Sequence, residues 1–219
     1  MLISHKYKFI FIKTRKTAGT SIQVDLAKIM ADDDVVMHAE DLNILTTSYF
    51  RRFCTTEAKR YFRLPSDPGQ YSHMAARDVK KRFGEGLFGS YFKFCVEREP
   101  IDKCISMYWH KTTRWGYIEK IRHGGLSWEK FLDRRKLWPI DTRLWTDEVG
   151  HLMVDRILRY ENLNEEICQV GQELGFNIER IKARHKTSTR RPGIEVSAEQ
   201  REMIYQAFAE SNRHTGYRL

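Results

Sequence analysis

The chain has 219 residues, of which 41% are hydrophobic and 31% are charged, and its formal net charge is +9. This length favours one α/β domain over residues 1–219, and the apolar content excludes a disordered chain. The excess of Lys and Arg indicates either an anionic partner or simply a soluble surface, because charge alone does not separate the two.

Cysteine and histidine spacing argues against a disulfide-rich or metal-binding protein. The four cysteines have no CxxC spacing: they are Cys54, Cys95, Cys104 and Cys168. We expect reduced thiols and a cytoplasmic location. The eight histidines lack HxH and HxxxH spacing, so no metal site is expected. No apolar stretch approaches the roughly 18 residues of a membrane span. The alternative that the chain is a fragment of a membrane-anchored protein stays open.

The first predicted unit is a strand followed by a polar loop and a helix. Residues 7–13 contain a short apolar run and are predicted as a buried strand, and residues 18–30 follow with helical periodicity. The loop between them carries Lys16, Gly19 and three hydroxyl side chains. The first N–H groups of a helix lack partners within the helix and carry partial positive charge, so this loop is predicted to bind an anion.

The rest of the chain alternates between strand and helix patterns. Further strands are predicted over residues 35–37, 91–96 and 154–160, and further helices over 41–63, 73–83, from Pro100, from Ser127, from Asn162 to Gly175, and from Ser197 to Gly216. This alternation predicts a three-layer α/β fold with a central, mostly parallel sheet flanked by helices. Residues 111–150 are interpreted as an acceptor-binding insertion, whose aromatic residues either stack on sugar rings or belong to the core.

A second basic loop is predicted beside the first. Ligands of such sheets bind outside the carboxyl ends of the strands, so Lys16, Arg98 and Glu161 are expected to lie close together. Arg98 offers a planar fork for a phosphate, and Ser106 offers a hydroxyl on the following helix. An arginine at a strand end is also commonly a structural ion pair, here with Glu97 or Glu99.

The order of residues in the first loop differs from a nucleotide-binding Walker A loop. In that motif the lysine follows the second glycine, whereas Lys16 precedes Gly19. A Mg²⁺-nucleotide site is therefore weakened, but a phosphate site is not.

Four segments together resemble the sulfotransferases that use 3′-phosphoadenosine 5′-phosphosulfate (PAPS). Lys16-Thr17-Ala18-Gly19-Thr20-Ser21 is similar to their 5′-phosphosulfate loop, and the stretch from Phe94 to Tyr108 is similar to their 3′-phosphate motif. Arg159-Tyr160-Glu161-Asn162-Leu163 resembles a block of the branch that includes heparan sulfate 2-O-sulfotransferases and many bacterial members. Lys186-Thr187-Ser188, followed by a helix that ends in Gly216-Tyr217, fits the same pattern.

The resemblance implies a P-loop-like fold and a specific set of roles. PAPS would be the co-substrate and PAP the product, with no metal. Lys16 would stabilise the leaving group, and His73, within Tyr71-Ser72-His73-Met74, would be the base, with His110 as its rival. Donor contacts are implied for Arg15, Lys16, Thr17, Ala18, Gly19, Thr20, Ser21, Arg98, Ser106, Lys186, Thr187, Ser188 and Arg191.

Three positions depart from the family's usual pattern. Arg15 stands where proline is usual, Ser72 where glycine often precedes the histidine, and Glu99 where asparagine commonly precedes Pro100. An acid beside a phosphate site is unfavourable, so Glu99 is expected to point away from it.

The branch favours a carbohydrate hydroxyl as acceptor, while lipid, small-metabolite and tyrosine acceptors stay open, as does the oligomeric state. A P-loop kinase using ATP and Mg²⁺ is one alternative, with Glu97 and Glu161 near the metal. A non-catalytic binder of nucleic acid or anionic glycan is the other, although no nucleic-acid motif supports it and no nucleic-acid partner is expected.

Overall fold

A computed structural model describes residues 1–31, 34–36, 73–114, 125–181 and 193–219. The strands are β1 (Leu2–Ser4), β2 (Phe9–Ile12), β3 (Val35–Val36), β4 (Phe92–Glu97) and β5 (Arg156–Arg159). The α-helices are α1 (Gly19–Ala27), α2 (Ala76–Phe83), α3 (Glu85–Ser90), α4 (Pro100–Arg114), α5 (Trp128–Asp133), α6 (Thr142–Trp145), α7 (Leu163–Leu174), α8 (Ala198–Ala207) and α9 (Ala209–Thr215). Two 3₁₀ helices span Arg135–Leu137 and Tyr160–Asn162.

The described strands form one five-stranded sheet in the order β3-β1-β2-β4-β5. β2 is parallel to β4, and β4 is parallel to β5. β1 is antiparallel to both β2 and β3, so β3 runs in the same direction as β2. Four of the five strands therefore point the same way, which confirms the predicted mostly parallel sheet.

Side chains alternate across β2 and place a core on each face of the sheet. Phe9 and Phe11 pack on the face that α1 and α7 cover, together with Phe94 and Val96 of β4. Ile10 and Ile12 point to the opposite face, where they pack with residues of α2, α3 and α6. Because successive side chains of a strand point to opposite faces, β2 contributes to two apolar layers, and the predicted three-layer arrangement is confirmed.

Several predicted boundaries are confirmed and others are not. β4 and the start of α4 at Pro100 agree with the sequence, and Ser197 forms the predicted capping box with Gln200. The last predicted helix is broken at Phe208 into α8 and α9. Asn162 is the N-cap residue of α7, as predicted, although its side chain makes no capping hydrogen bond. The predicted helix over 41–63 lies outside the described residues.

The aromatic side chains of the 111–150 segment divide between the core and the part of the chain not described. Trp128, Trp138 and Trp145 are all buried, which favours the core alternative for these three. Trp115 and Tyr117 lie outside the described residues. Sugar stacking therefore stays a prediction only for the remainder of this segment.

Cys95 and Cys104 are buried free thiols, as predicted for these two, whereas Cys54 lies outside the described ranges. Among the residues that the structure describes, no helix is long and apolar enough to cross a membrane. The same residues contain no group of three or more His, Cys, Asp or Glu side chains that could hold a metal ion.

Candidate active site

The loops that follow β2 and β4 meet at the carboxyl edge of the sheet. The hydroxyl of Thr14 is hydrogen-bonded to the carbonyl of Val96, and Arg98 Nη1 donates to the carbonyl of Lys16 at 3.1 Å. The backbone N–H of Glu99 donates to Glu161 Oε1 at 2.9 Å. The proximity predicted for the loops of Lys16, Arg98 and Glu161 is thereby confirmed.

The backbone of the first loop alternates between left-handed and ordinary conformations. Lys16 has φ +63° and Ala18 has φ +59°, while Thr17 between them is not in the positive-φ region. Non-glycine residues rarely adopt positive φ, because it costs energy. Residues strained in this way cluster at functional sites. Left-handed residues of this kind occur in nests, which are loops whose successive N–H groups converge on an anion.

Gly19 is explained by packing against Lys13. A Cβ atom at position 19 would lie 2.7 Å from Lys13 Cγ, closer than real contacts allow. Lys13 is buried beneath the loop, and its ammonium donates to Gln23 Oε1 of α1 at 3.1 Å. The missing side chain of Gly19 therefore lets α1 begin directly above the stem of Lys13.

The hydroxyl of Thr17 is used inside the protein. Thr17 is fully buried, its Oγ1 lies 2.8 Å from Thr14 Oγ1, and it donates to the carbonyl of Thr14 at 3.3 Å. Thr20 is half-buried and Ser21 is buried in the first turn of α1. The three hydroxyls expected to face an anion thus differ in burial. The hydroxyl of Thr17 is hydrogen-bonded inside the loop.

Arg15 is bound on three sides by one short segment. Its backbone N–H donates to Asp141 Oδ2 at 2.7 Å, and its Nε donates to Asp141 Oδ1 at 2.6 Å. Its Nη2 donates to the carbonyl of Ile140 at 2.9 Å. Asp141 was not predicted as a partner of Arg15, because it lies 126 positions away in the sequence.

Asp141 belongs to a buried cluster of charges. Lys103 on α4 donates to Glu97 Oε2 at 2.6 Å and lies 3.1 Å from Asp141 Oδ2, and all three side chains are almost fully buried. Burial raises the pKa of Asp141, but Lys103 and Arg15 outweigh burial and hold the pKa below its ordinary value. Burial lowers the pKa of Lys103, and the two carboxylates reverse this, so its net pKa is raised. Glu97 differs from Asp141, because burial outweighs the attraction of Lys103 and raises its pKa.

Arg98 pairs with Asp102 one turn into α4. Its Nε and Nη2 both lie 2.6 Å from Asp102 Oδ2, and its guanidinium carbon lies 4.1 Å from the centre of the Tyr160 ring. The suggested structural pairing with Glu97 or Glu99 was therefore wrong. Ser106 follows Asp102 by four residues and shares its face of the helix.

Glu99 closes the first turn of α4. Its carboxylate accepts hydrogen bonds from the backbone N–H groups of Ile101 at 3.0 Å and Asp102 at 2.7 Å, and from the hydroxyl of Tyr205 at 3.0 Å. The carboxylate thus faces the first turn of α4, and its expected direction away from a phosphate stays a prediction.

His73 lies against the backbone of the first loop. Its Nδ1 is 2.9 Å from the carbonyl of Lys13, and because a carbonyl only accepts, Nδ1 carries the hydrogen. Burial is the main reason that the pKa of His73 falls from 6.5 to about 4. At neutral pH the ring is therefore uncharged, and Nε2 carries a lone pair.

Of the other predicted site residues, His110 is described by the structure and several are not. His110 is near the far end of α4, about 15 Å along the helix axis from Pro100. Tyr71 and Ser72 lie outside the described residues, as do the predicted donor contacts Lys186, Thr187, Ser188 and Arg191.

The fold is an α/β sheet with its strand-end loops in contact, and no family model matches the chain. The chain belongs to the same family as an uncharacterized protein of Archaeoglobus fulgidus, with 30% identity over 106 residues, 47% of this chain and 83% of that protein. A crystal structure of a sulfotransferase from Alicyclobacillus acidocaldarius is 15% identical, with 97% of this chain and 96% of that chain covered and a TM-score of 0.38. A score this low carries no functional argument.

Proposed function

We propose that this protein is a PAPS-dependent sulfotransferase with a P-loop-like fold that transfers a sulfuryl group to a hydroxyl, most simply on a carbohydrate. One observation carries the proposal. The segments that resemble the 5′-phosphosulfate loop and the 3′-phosphate motif are far apart in sequence, yet Arg98 Nη1 donates to the carbonyl of Lys16 at 3.1 Å. A donor with phosphates at both ends of a nucleoside fits two adjacent anion sites.

The first loop suits the phosphosulfate end of the donor. The nest at Lys16 and Ala18 directs main-chain N–H groups at an anion, and the N-terminus of α1 adds partial positive charge. Lys16 adds a full charge beside the bridging oxygen. Such fixed charges stabilise a transition state without reorganisation of solvent.

The proposed reaction is an in-line displacement at sulfur. The acceptor oxygen forms a bond to sulfur while the bond from sulfur to the 5′-phosphate oxygen breaks, and PAP leaves with that electron pair. His73 Nε2 takes the proton of the acceptor hydroxyl, since Nδ1–H is held by the carbonyl of Lys13. Lys16 stabilises the charge that develops on the leaving oxygen.

Position favours His73 over His110 as the base. His73 contacts the residue at the end of β2 from which the donor loop begins, whereas His110 is about 15 Å along α4 from Pro100. Proton transfer needs direct hydrogen-bond reach or one intervening water. The contact of His73 with the loop backbone meets this requirement more closely.

Transfer of labelled sulfate from PAPS to a panel of carbohydrate, lipid and phenolic acceptors tests the proposal. We expect turnover by the wild type, a loss of roughly 100- to 1,000-fold for Lys16→Ala, and a loss of about 100-fold for His73→Ala. Lys8→Ala is the matched control, because Lys8 also has positive φ but lies exposed before β2. Unchanged turnover in Lys16→Ala would contradict the mechanism.

Ligand binding separates the remaining alternatives. A sulfotransferase should be stabilised against thermal unfolding by PAP in the presence of EDTA, whereas a kinase should prefer ATP with Mg²⁺. A non-catalytic glycan or nucleic-acid binder should retain its ligand in Lys16→Ala and show no dependence on PAP.

A further inference from the structure

One buried carboxylate controls the geometry of the residue that precedes Lys16. Asp141 accepts both the backbone N–H of Arg15, at 2.7 Å, and its side-chain Nε, at 2.6 Å. The first bond restrains the main chain of the loop, and the second restrains the side chain. A single residue from outside the loop thus fixes the point at which the chain turns into the left-handed conformation of Lys16.

Asp141 is itself held rigidly. Lys103 lies 3.1 Å from Asp141 Oδ2 and 2.6 Å from an oxygen of Glu97, the last residue of β4. Trp145 Nε1 donates to the other oxygen of Glu97 at 3.0 Å. These side chains are buried, so Asp141 is connected to β4 through Lys103 and Glu97.

We propose that Asp141 is a positioning residue for the donor loop: by fixing Arg15, it sets the direction in which Lys16 approaches the reacting group. The inference rests on the proposed function for its effect on turnover, although its effect on loop order does not. It also assigns the guanidinium of Arg15 a structural task, since Asp141 and Ile140 already bind two of its nitrogens.

A purely structural role would lower stability without a selective effect on the loop, and Asp155 provides the matched control. Asp155 Oδ2 accepts the backbone N–H of Lys93 at 2.7 Å and lies 3.0 Å from its ammonium. Asp155 therefore repeats the contacts of Asp141 with Arg15, but near the opposite end of β4.

Hydrogen exchange followed by mass spectrometry tests loop order in the full chain. In Asp141→Asn we expect at least about 10-fold faster exchange in the peptide covering residues 13–18, with little change in α7. In Asp155→Asn the same peptide should exchange as in the wild type. Equal exchange of residues 13–18 in Asp141→Asn and the wild type would overturn the proposal.

Steady-state kinetics with PAPS tests the effect on catalysis. Asp141→Asn should lower kcat by roughly 10- to 100-fold and leave KM for PAPS within about threefold, because a displaced lysine loses mainly transition-state contact. Combined with Lys16→Ala, it should lower kcat no further. A full multiplicative loss in the double variant would overturn the proposal.

A second variant covers the case in which Asp141→Asn does not fold. Arg15→Ala alters a side chain that is 35% exposed, removes both guanidinium contacts and keeps the backbone bond to Asp141. We expect a smaller change of the same kind in both measurements, and no change in either would overturn the proposal. If the wild type fails to turn over PAPS, the proposed function fails, whereas the exchange result still decides loop order.

Discussion

The loop after β2 and the loop after β4 differ in backbone conformation and in what their polar groups contact. In the first loop, Lys16 and Ala18 have left-handed backbone. In the second, the carboxylate of Glu99 already accepts the N–H groups of Ile101 and Asp102 at the start of α4. The anion site proposed for the second loop therefore depends on side chains, among them Arg98, which contacts the first loop.

This difference means that the two loops should respond to different substitutions. The first depends on backbone geometry and on close packing beneath it, whereas the second depends on the presence of one charge. The buried cluster of Lys103, Glu97 and Asp141 connects them, because Glu97 directly precedes Arg98 and Asp141 binds Arg15.

The largest expected effect comes from removal of that connection. Lys103→Met leaves Glu97 without its buried cation and Asp141 with Arg15 alone, and should lower the free energy of unfolding by about 3–5 kcal/mol. Urea denaturation measures the loss. Lys80→Met is the control: its pair with Glu85 is exposed, at 2.9 Å, and should be worth only about 0–1 kcal/mol. Equal losses in the two variants would argue against a structural connection.

Removal of the charge from the second loop should weaken nucleotide binding. Arg98→Ala should cost about 1.5–3 kcal/mol of PAP affinity, roughly 10- to 100-fold, as expected for hydrogen bonds to a charged group. Binding of AMP, which lacks the 3′-phosphate, should change little. Isothermal titration calorimetry compares the two ligands. Arg156→Ala, which breaks an exposed pair with Glu173 at 2.8 Å, should leave both affinities unchanged.

Disturbance of the packing under the first loop should lower stability. Gly19→Ala places a Cβ 2.7 Å from Lys13 Cγ and should cost about 1–3 kcal/mol through overpacking. Gly86→Ala, in α3 with nothing within 4 Å of the new Cβ, should instead stabilise by about 0.5–1 kcal/mol. Chemical denaturation of both variants checks the sign, and a neutral Gly19→Ala would show that Lys13 moves freely.

The smallest effect concerns the pH dependence of stability at His73. Burial lowers its folded pKa to about 4, so the unfolded chain takes up a proton between pH 6.5 and 4 that the folded protein does not. As the pH falls from 6.5 to 4, the free energy of unfolding should therefore decrease by about 1–2 kcal/mol, allowing for partial solvent access. His73→Gln should remove this component, whereas His151→Gln, at an exposed histidine, should not. Denaturation at pH 7.5 and 4.5 measures it.

Features that depend on neighbouring residues were predictable from sequence. β4 is a mostly apolar segment of strand length, Pro100 suits a first helical turn, and Ser197 with Gln200 is a local capping pattern. The adjacency of the strand-end loops followed from the general geometry of parallel sheets, without knowledge of any contact.

Features that depend on tertiary contacts were not predictable. β1 has only three residues and is defined by pairing with β2 and β3. Left-handed backbone at Lys16 and Ala18 contradicts local preference and exists because the surrounding contacts impose it. Asp141 gave no signal because its partner is remote in sequence.

The strand order has a consequence for how the protein acquires its site. β1 and β2 are neighbours in sequence and form a hairpin by closing a short loop. β2 pairs with β4 only after the two ends of a segment of roughly 80 residues have come together. Non-local pairing is the slow part of folding, so the contact of Thr14 with Val96 should form late. Ligand binding at this edge would then report completed folding, and a refolding chain should regain its hairpin well before it regains affinity for an anion.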